Sequence, residues 1–210
     1  MTESYLTLAR EGEARFTVQK SVFIGQAIPC ASEEEALRFI RRLREESRDA
    51  SHHCYAYVIG TNEGLMRYSD DGEPGGTAGL PMISLIRSEK IVNCCVVVTR
   101  YFGGILLGTG GLVRAYTQGC RIALDAAGIV RMDLTSHDLC EVPYASWDRV
   151  RYALESLPAR MVDISYGASV TFTLLTRRGD RDRVLDALEQ ASARQLTALE
   201  DEEKYEAWEI

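Results

Sequence analysis

Apolar and polar positions alternate through FTVQKSVFIGQAIPC (Phe16–Cys30), which predicts one or two strands. The period then changes. In SEEEALRFIRRLREES (Ser32–Ser47), Leu37, Ile40 and Leu43 recur at helical spacing, with Ala36 and Phe39 alongside. Ser32 stands at the N-cap and Glu35 three residues on, the pattern of a capping box. HHCYAYVIG and GLMRYSD read as two strands around the turn TNEG, and PMISLIRSEK fits the start of either a helix or a strand. IVNCCVVVTRYF is continuous and β-branched, as expected of a strand covered on both faces. GGILLGTGG reads as a loop. GLVRAYTQGCRIALDAAG then predicts a helix with Leu112, Tyr116, Cys120, Ala123 and Ala127 on one side and Gly128 as its stop.

Beyond residue 132 the pattern is simpler. HDLCEVPY, ASWDRVRYALESL, RMVDISYG, ASVTFTLLTR, DRDRVLDALEQAS and RQLTALEDEEKYE give the order β-α-β-β-α-β, the ferredoxin-like plan. The expected class is therefore α+β, in two domains. The boundary falls near Arg131–Ser136, giving residues 1–132 and 133–210.

Composition changes this picture in three places. A 210-residue chain has room for two such domains, and no apolar run reaches the length of a membrane span. With no signal-peptide core at its start either, the chain is expected to be cytoplasmic. The six cysteines form no C-x-x-C pair and sit among apolar neighbours, as buried free thiols do. The net charge of −7 is unevenly placed: residues 1–132 carry 15 basic and 15 acidic side chains, whereas residues 133–210 carry 9 and 16. An acidic second half is a poor binder of phosphate, so any RNA-facing surface belongs to the first half.

Four segments could carry chemistry. SDDGEPGGTAGLP (Ser69–Pro81) sets Asp70, Asp71 and Glu73 against a run of glycines. These carboxylates could hold Mg²⁺, or the segment could be a turn in which an Asp accepts backbone N–H groups and Gly72 supplies positive φ. RYFGGILLGTGGLVRAY (Arg100–Tyr116) places glycines ahead of a helix, a natural anion site, flanked by Arg100 and Arg114. It is neither a Walker A loop nor G-x-G-x-x-G, and its glycines could equally serve close packing. In SHHCYAY, His52 and Cys54 share one strand face and His53 takes the other, a poor spacing for a nucleophile and its base. Arg41, Arg44 and Arg48 share a helix face and could track phosphates, but the interleaved glutamates favour an ion-paired surface. No established catalytic motif is present, which favours a non-enzymatic role without excluding a new activity.

Taken together, RDASHHCYAYV, YSDDGEPGGTAGLPM and VVVTRYFGGILLGTGGLVRAY resemble the IMPACT/YigZ family, in order and at suitable separation. The resemblance covers most of residues 15–130. It implies a first domain like the second domain of ribosomal protein S5, and a second like the last domain of elongation factor G. Both comparisons point to translation. Eukaryotic relatives regulate translation by competing for the activator of a kinase acting on an initiation factor. That partnership does not carry over, because the additional partner-binding domain is not found in this sequence.

The surface implied by the family comprises His52, His53, Asp70, Asp71, Gly72, Glu73, Pro74, Thr77, Ala78, Gly79, Arg100, Tyr101, Gly103, Gly104, Gly108, Gly110, Gly111 and Arg114. Gly75 departs from the alanine or serine expected there. The acidic and glycine-rich loops are expected to meet, with Arg100 facing Asp70 or Asp71. The expected function is recognition of RNA, the ribosome or a translation-related protein through this polar cleft. The alternative is a Mg²⁺-dependent enzyme acting on a nucleotide or another phosphorylated small molecule.

Overall fold

The computed structural model describes residues 3–62 and 64–208. It is a mixed α+β structure with two five-stranded sheets, and its contacts divide into two units. One runs from Tyr5 to Arg131; the other runs from Met132 to Trp208 and takes in Ser4. The elements are β1 (Ser4–Leu8), β2 (Gly12–Val18), β3 (Ser21–Pro29), α1 (Glu33–Glu46), β4 (His52–Ile59), β5 (Leu65–Ser69), α2 (Gly79–Ser88), β6 (Cys94–Tyr101) and α3 (Gly108–Ala127). They continue with β7 (Ile129–Val142), α4 (Tyr144–Leu154), β8 (Ala159–Tyr166), β9 (Val170–Arg177), α5 (Arg181–Ala191) and β10 (Thr197–Trp208).

The first unit is built on the sheet β2-β3-β6-β4-β5. Val18 pairs with Ser21, so Gln19 and Lys20 alone make the turn between β2 and β3, both at positive φ as a tight hairpin requires. Central strand β6 is buried on both faces, because its alternate side chains enter two cores. Cys94, Val96 and Val98 pack with α2 and α3, whereas Cys95 and Val97 pack under α1 with Phe39, Ile40 and Leu43. α1 starts as its sequence dictates: the Ser32 side chain accepts from the Glu35 N–H, and the Glu35 carboxylate accepts from Ala31 N–H at 2.8 Å.

One open choice is settled and two elements differ from the sequence reading. PMISLIRSEK resolves as helix, since Pro81 lies in the first turn of α2, where its missing N–H costs nothing. α3 begins at Gly108, so the last part of GGILLGTGG is helical rather than loop. β1 was not foreseen, because five residues with a single alternation carry little signal.

In the second unit β10, β7, β9 and β8 are neighbours in that order. α4 and α5 bury Trp147, Val150, Val184 and Leu188 against Cys140, Val142, Phe172 and Leu174. Trp208 is the last residue of β10. Its ring is stacked by Arg160 and Arg177 at 4.2 and 4.5 Å, and its N–H donates to Thr135. No helix among the described residues is long and apolar enough to cross a membrane.

Candidate functional site

Strand register assembles the site. Arg100 follows Cys94, Val96 and Val98 on one face of β6, so the strand itself delivers a guanidinium to the edge of the α2/α3 core. Its partners across the sheet are Phe23 on β3 and His52 on β4. Arg100 is 4% exposed, and its guanidinium lies 5.4 Å from the rings of both Phe23 and Phe102. A charge so placed needs a counter-charge, and Glu73 supplies it: Arg100 Nη1 donates to Glu73 Oε1 at 2.6 Å. Tyr116 of α3 donates to the same oxygen at 2.7 Å, and burial pushes its phenol far up, so it stays a donor. The Nε2 of His52 stands 3.8 Å from that oxygen.

This corrects the expected pairing of Arg100 with Asp70 or Asp71. Both aspartates are engaged elsewhere, for a reason set by the loop. Asp70 turns inward and accepts N–H bonds from Gly76, Ala78 and Gly79 at 2.8–2.9 Å, closing the loop onto the start of α2. Burial opposes its charge, but those three bonds outweigh it and hold the carboxyl below its ordinary range. Asp71 and Gly72 then both take positive φ, reversing the chain. Asp71 thereby accepts from Arg44 of α1 at 2.5 Å and from the backbone N–H of His53 on β4 at 2.7 Å. Only Glu73 is left to reach the β6 arginine. The turn expected of this segment is present, and its three carboxylates go to three different sets of donors. Among the described residues, no three His, Cys, Asp or Glu side chains are grouped to hold a metal ion.

Beside the Arg100–Glu73 pair lies a cleft of about 390 Å³. His52, Glu73 and Arg100 form its polar floor, and Pro74, Phe102, Leu106, Leu107 and Leu112 its apolar walls. Gly108 and Thr109, the first residues of α3, close one end. His52 is held by its Nδ1, which donates to the Asp71 carbonyl at 2.9 Å. Cys54 is no nucleophile: burial pushes its thiol up to about 12, and it donates to the Asp70 carbonyl.

Of the remaining family residues, Thr77 donates to the Pro74 carbonyl and Gly79 packs on the Ser69 backbone. Gly103 lies against the β2–β3 turn, where a Cβ would come within 2.1 Å of the Lys20 backbone, and its N–H donates to Ser21. Gly104 is exposed, Gly110 and Gly111 lie in the first turn of α3, and Tyr101 ends β6. Of the eighteen expected residues, His52, Glu73, Pro74, Arg100 and Gly108 line the cleft and the other thirteen do not. His53 points to the α1 face, its ring buried, and Arg114 is exposed beyond the cleft lining. Conversely, motif reading missed the apolar walls. The available signal was ILL, three consecutive apolar residues in a glycine-rich loop where no core demanded them.

Fold and site together define a two-unit α+β protein with a pre-ordered polar floor under an apolar cleft. Residues 19–124 match the Impact N-terminal domain, and residues 140–193 match a domain of unknown function, DUF1949. The chain is 37% identical over 172 residues to the IMPACT family member YvyE of Bacillus subtilis, covering 82% of this chain and 79% of that one. It is 35% identical to the IMPACT family member YigZ of Escherichia coli, over 80% of this chain and 83% of that one. A crystal structure of a hypothetical protein superposes with a TM-score of 0.61 at 31% identity, over 96% of this chain and 99% of the other. The chain belongs to the IMPACT family.

Proposed function

We propose that this chain is a non-catalytic, translation-associated binding protein whose first unit holds a segment of a translation-related protein in the cleft. In this reading the first unit has the fold of the second domain of ribosomal protein S5. The second unit is ferredoxin-like, like the last domain of elongation factor G, and its β-α-β-β-α-β order with β10 and β7 adjacent supports that. The observation that carries the proposal is the ordered Arg100–Glu73–Tyr116 floor opening onto walls of Phe102, Leu106, Leu107 and Leu112.

A protein partner is favoured over RNA by the charges. On α1, Arg38 pairs with Glu34, Arg42 with Glu11 and Arg44 with Asp71, so these three cations already have carboxylates. Exposed apolar walls suit side chains of a protein better than a phosphate backbone. The test is co-sedimentation with ribosomes and subunits over a salt series. The expected result is binding that changes little with salt and is lost in Phe102→Ala. Binding that falls steeply with salt and survives Phe102→Ala places the contact on RNA instead, and no binding at low salt removes the translational setting. The Mg²⁺-dependent alternative requires the loop carboxylates to leave their present donors; a thermal shift seen only with Mg²⁺ and nucleotide together supports it.

A further inference from the structure

The geometry points to the cleft as a receptor for a chain end: the free C-terminal carboxylate of a partner protein whose last residue is apolar. This rests on the cleft being a binding site and names what it takes.

Two independent observations converge. α3 is 20 residues long and opens on the cleft through Gly108 and Thr109. The residue before it, Leu107, makes no side-chain cap bond, and the first turn carries no acid. The leading N–H groups of such a helix, and its dipole, favour an anion. The second observation is Arg100, which lines the same cleft at 4% exposure with donors unused. Its Nε–H is itself buried and has no hydrogen-bond partner, and Nη2 makes only a long bond to Ser21 at 3.4 Å, so an occupant's oxygen would meet this guanidinium at Nη2 or after a small shift of the side chain. A buried guanidinium with unmet donors is stabilised by an added acceptor.

The rest of the cleft selects among anions. Glu73 already balances the Arg100 charge, so a dianionic phosphate there meets a neighbouring carboxylate. A single negative charge suits the floor better. Phe102, Leu106, Leu107 and Leu112 require an apolar group immediately beside that charge. A C-terminal leucine or isoleucine carries its carboxylate and its apolar side chain on one Cα, whereas an internal Asp or Glu carries its carboxylate among peptide groups. Capture of a terminal carboxylate by backbone N–H groups is an established recognition mode. This chain uses the same chemistry internally, where Asp70 accepts the Ala78 and Gly79 N–H groups at the start of α2.

The experiment is calorimetric titration of the full chain with acetyl-Ala-Ala-Leu as the free acid, as its C-terminal amide, and with inorganic phosphate as competitor. The acid is expected to bind and the amide to bind about tenfold more weakly or worse, since charge-assisted bonds are lost. Thr109→Glu puts an acid into the exposed first turn, which favours the helix but takes the anion's place, so it leaves the melting temperature unchanged or raised. It should weaken the acid about tenfold and so remove most of the preference for acid over amide. Equal binding of acid and amide, no binding of either, displacement by phosphate as effective as by the peptide, or an unaffected Thr109→Glu each overturns the inference. Co-sedimentation lost in Phe102→Ala, combined with no preference for the free acid, overturns the chain-end assignment alone. Acid-selective peptide binding without co-sedimentation overturns the translational reading and keeps the chain-end one.

Discussion

Replacing Arg100 or Glu73 singly should damage the first unit far more than their separate contributions suggest. The two side chains are 5% and 3% exposed and 2.6 Å apart, so removing either leaves the other as an uncompensated buried charge. Such losses cost about 3–5 kcal/mol each, so Arg100→Met and Glu73→Met would sum to at least about 6 kcal/mol if independent. The double variant removes both charges and leaves chiefly the Tyr116 phenol without its acceptor, a cost of about 1–3 kcal/mol. The coupling is the difference, about 3 kcal/mol or more, and a double-mutant cycle isolates it. Urea unfolding followed by circular dichroism measures it from midpoints at constant slope. Single costs that simply add in the double variant refute the claim that this pair is one buried unit beneath the cleft.

Other positions give independent tests. Asp70→Ala removes an acceptor shared by three backbone N–H groups and should cost roughly 3 kcal/mol in urea unfolding, at about 1 per bond. Because the folded carboxyl is held below its ordinary value of 3.8, its contribution is present above that pH and is lost as pH falls through the folded value. Wild type should therefore lose stability at acid pH with a steeper limb than Asp70→Asn, and superimposable limbs contradict the bonding. Gly103→Ala drives a Cβ into the β2–β3 turn, 2.1 Å from the Lys20 backbone, so its melting temperature should drop clearly, while Gly75→Ala, in open space and without a positive φ, should change it far less. Trp208→Ala removes two arginine stacks and the bond to Thr135; about 2 kcal/mol should be lost, read from the fluorescence of the remaining Trp147.

Periodicity made most elements legible, because it reports which faces are buried. The β6 run declared a strand between two cores, and the structure places α1 on one side and α2 with α3 on the other. The Ser32/Glu35 pair fixed the start of α1. Pairing within the acidic loop was not legible. Three carboxylates in four positions are equivalent on paper, and the positive φ of Asp71 and Gly72 decides that Asp71 turns to Arg44 while Glu73 meets Arg100. The row Phe23–Arg100–His52 was hidden too, since it depends on strand register across residues far apart in the chain. Motif reading favours polar residues and so passed over Phe102 and Leu106, which form much of the cleft wall.

Photo-crosslinking from the cleft rim tests the central claim most directly. Leu106 is 84% exposed and lines the cleft, so a benzoylphenylalanine placed there should tolerate folding and touch any occupant. With purified ribosomes and translation factors, the account predicts one discrete protein adduct, suppressed by excess unlabelled wild type and not by excess Phe102→Ala. An adduct to RNA, or a protein adduct that both competitors suppress equally, contradicts it.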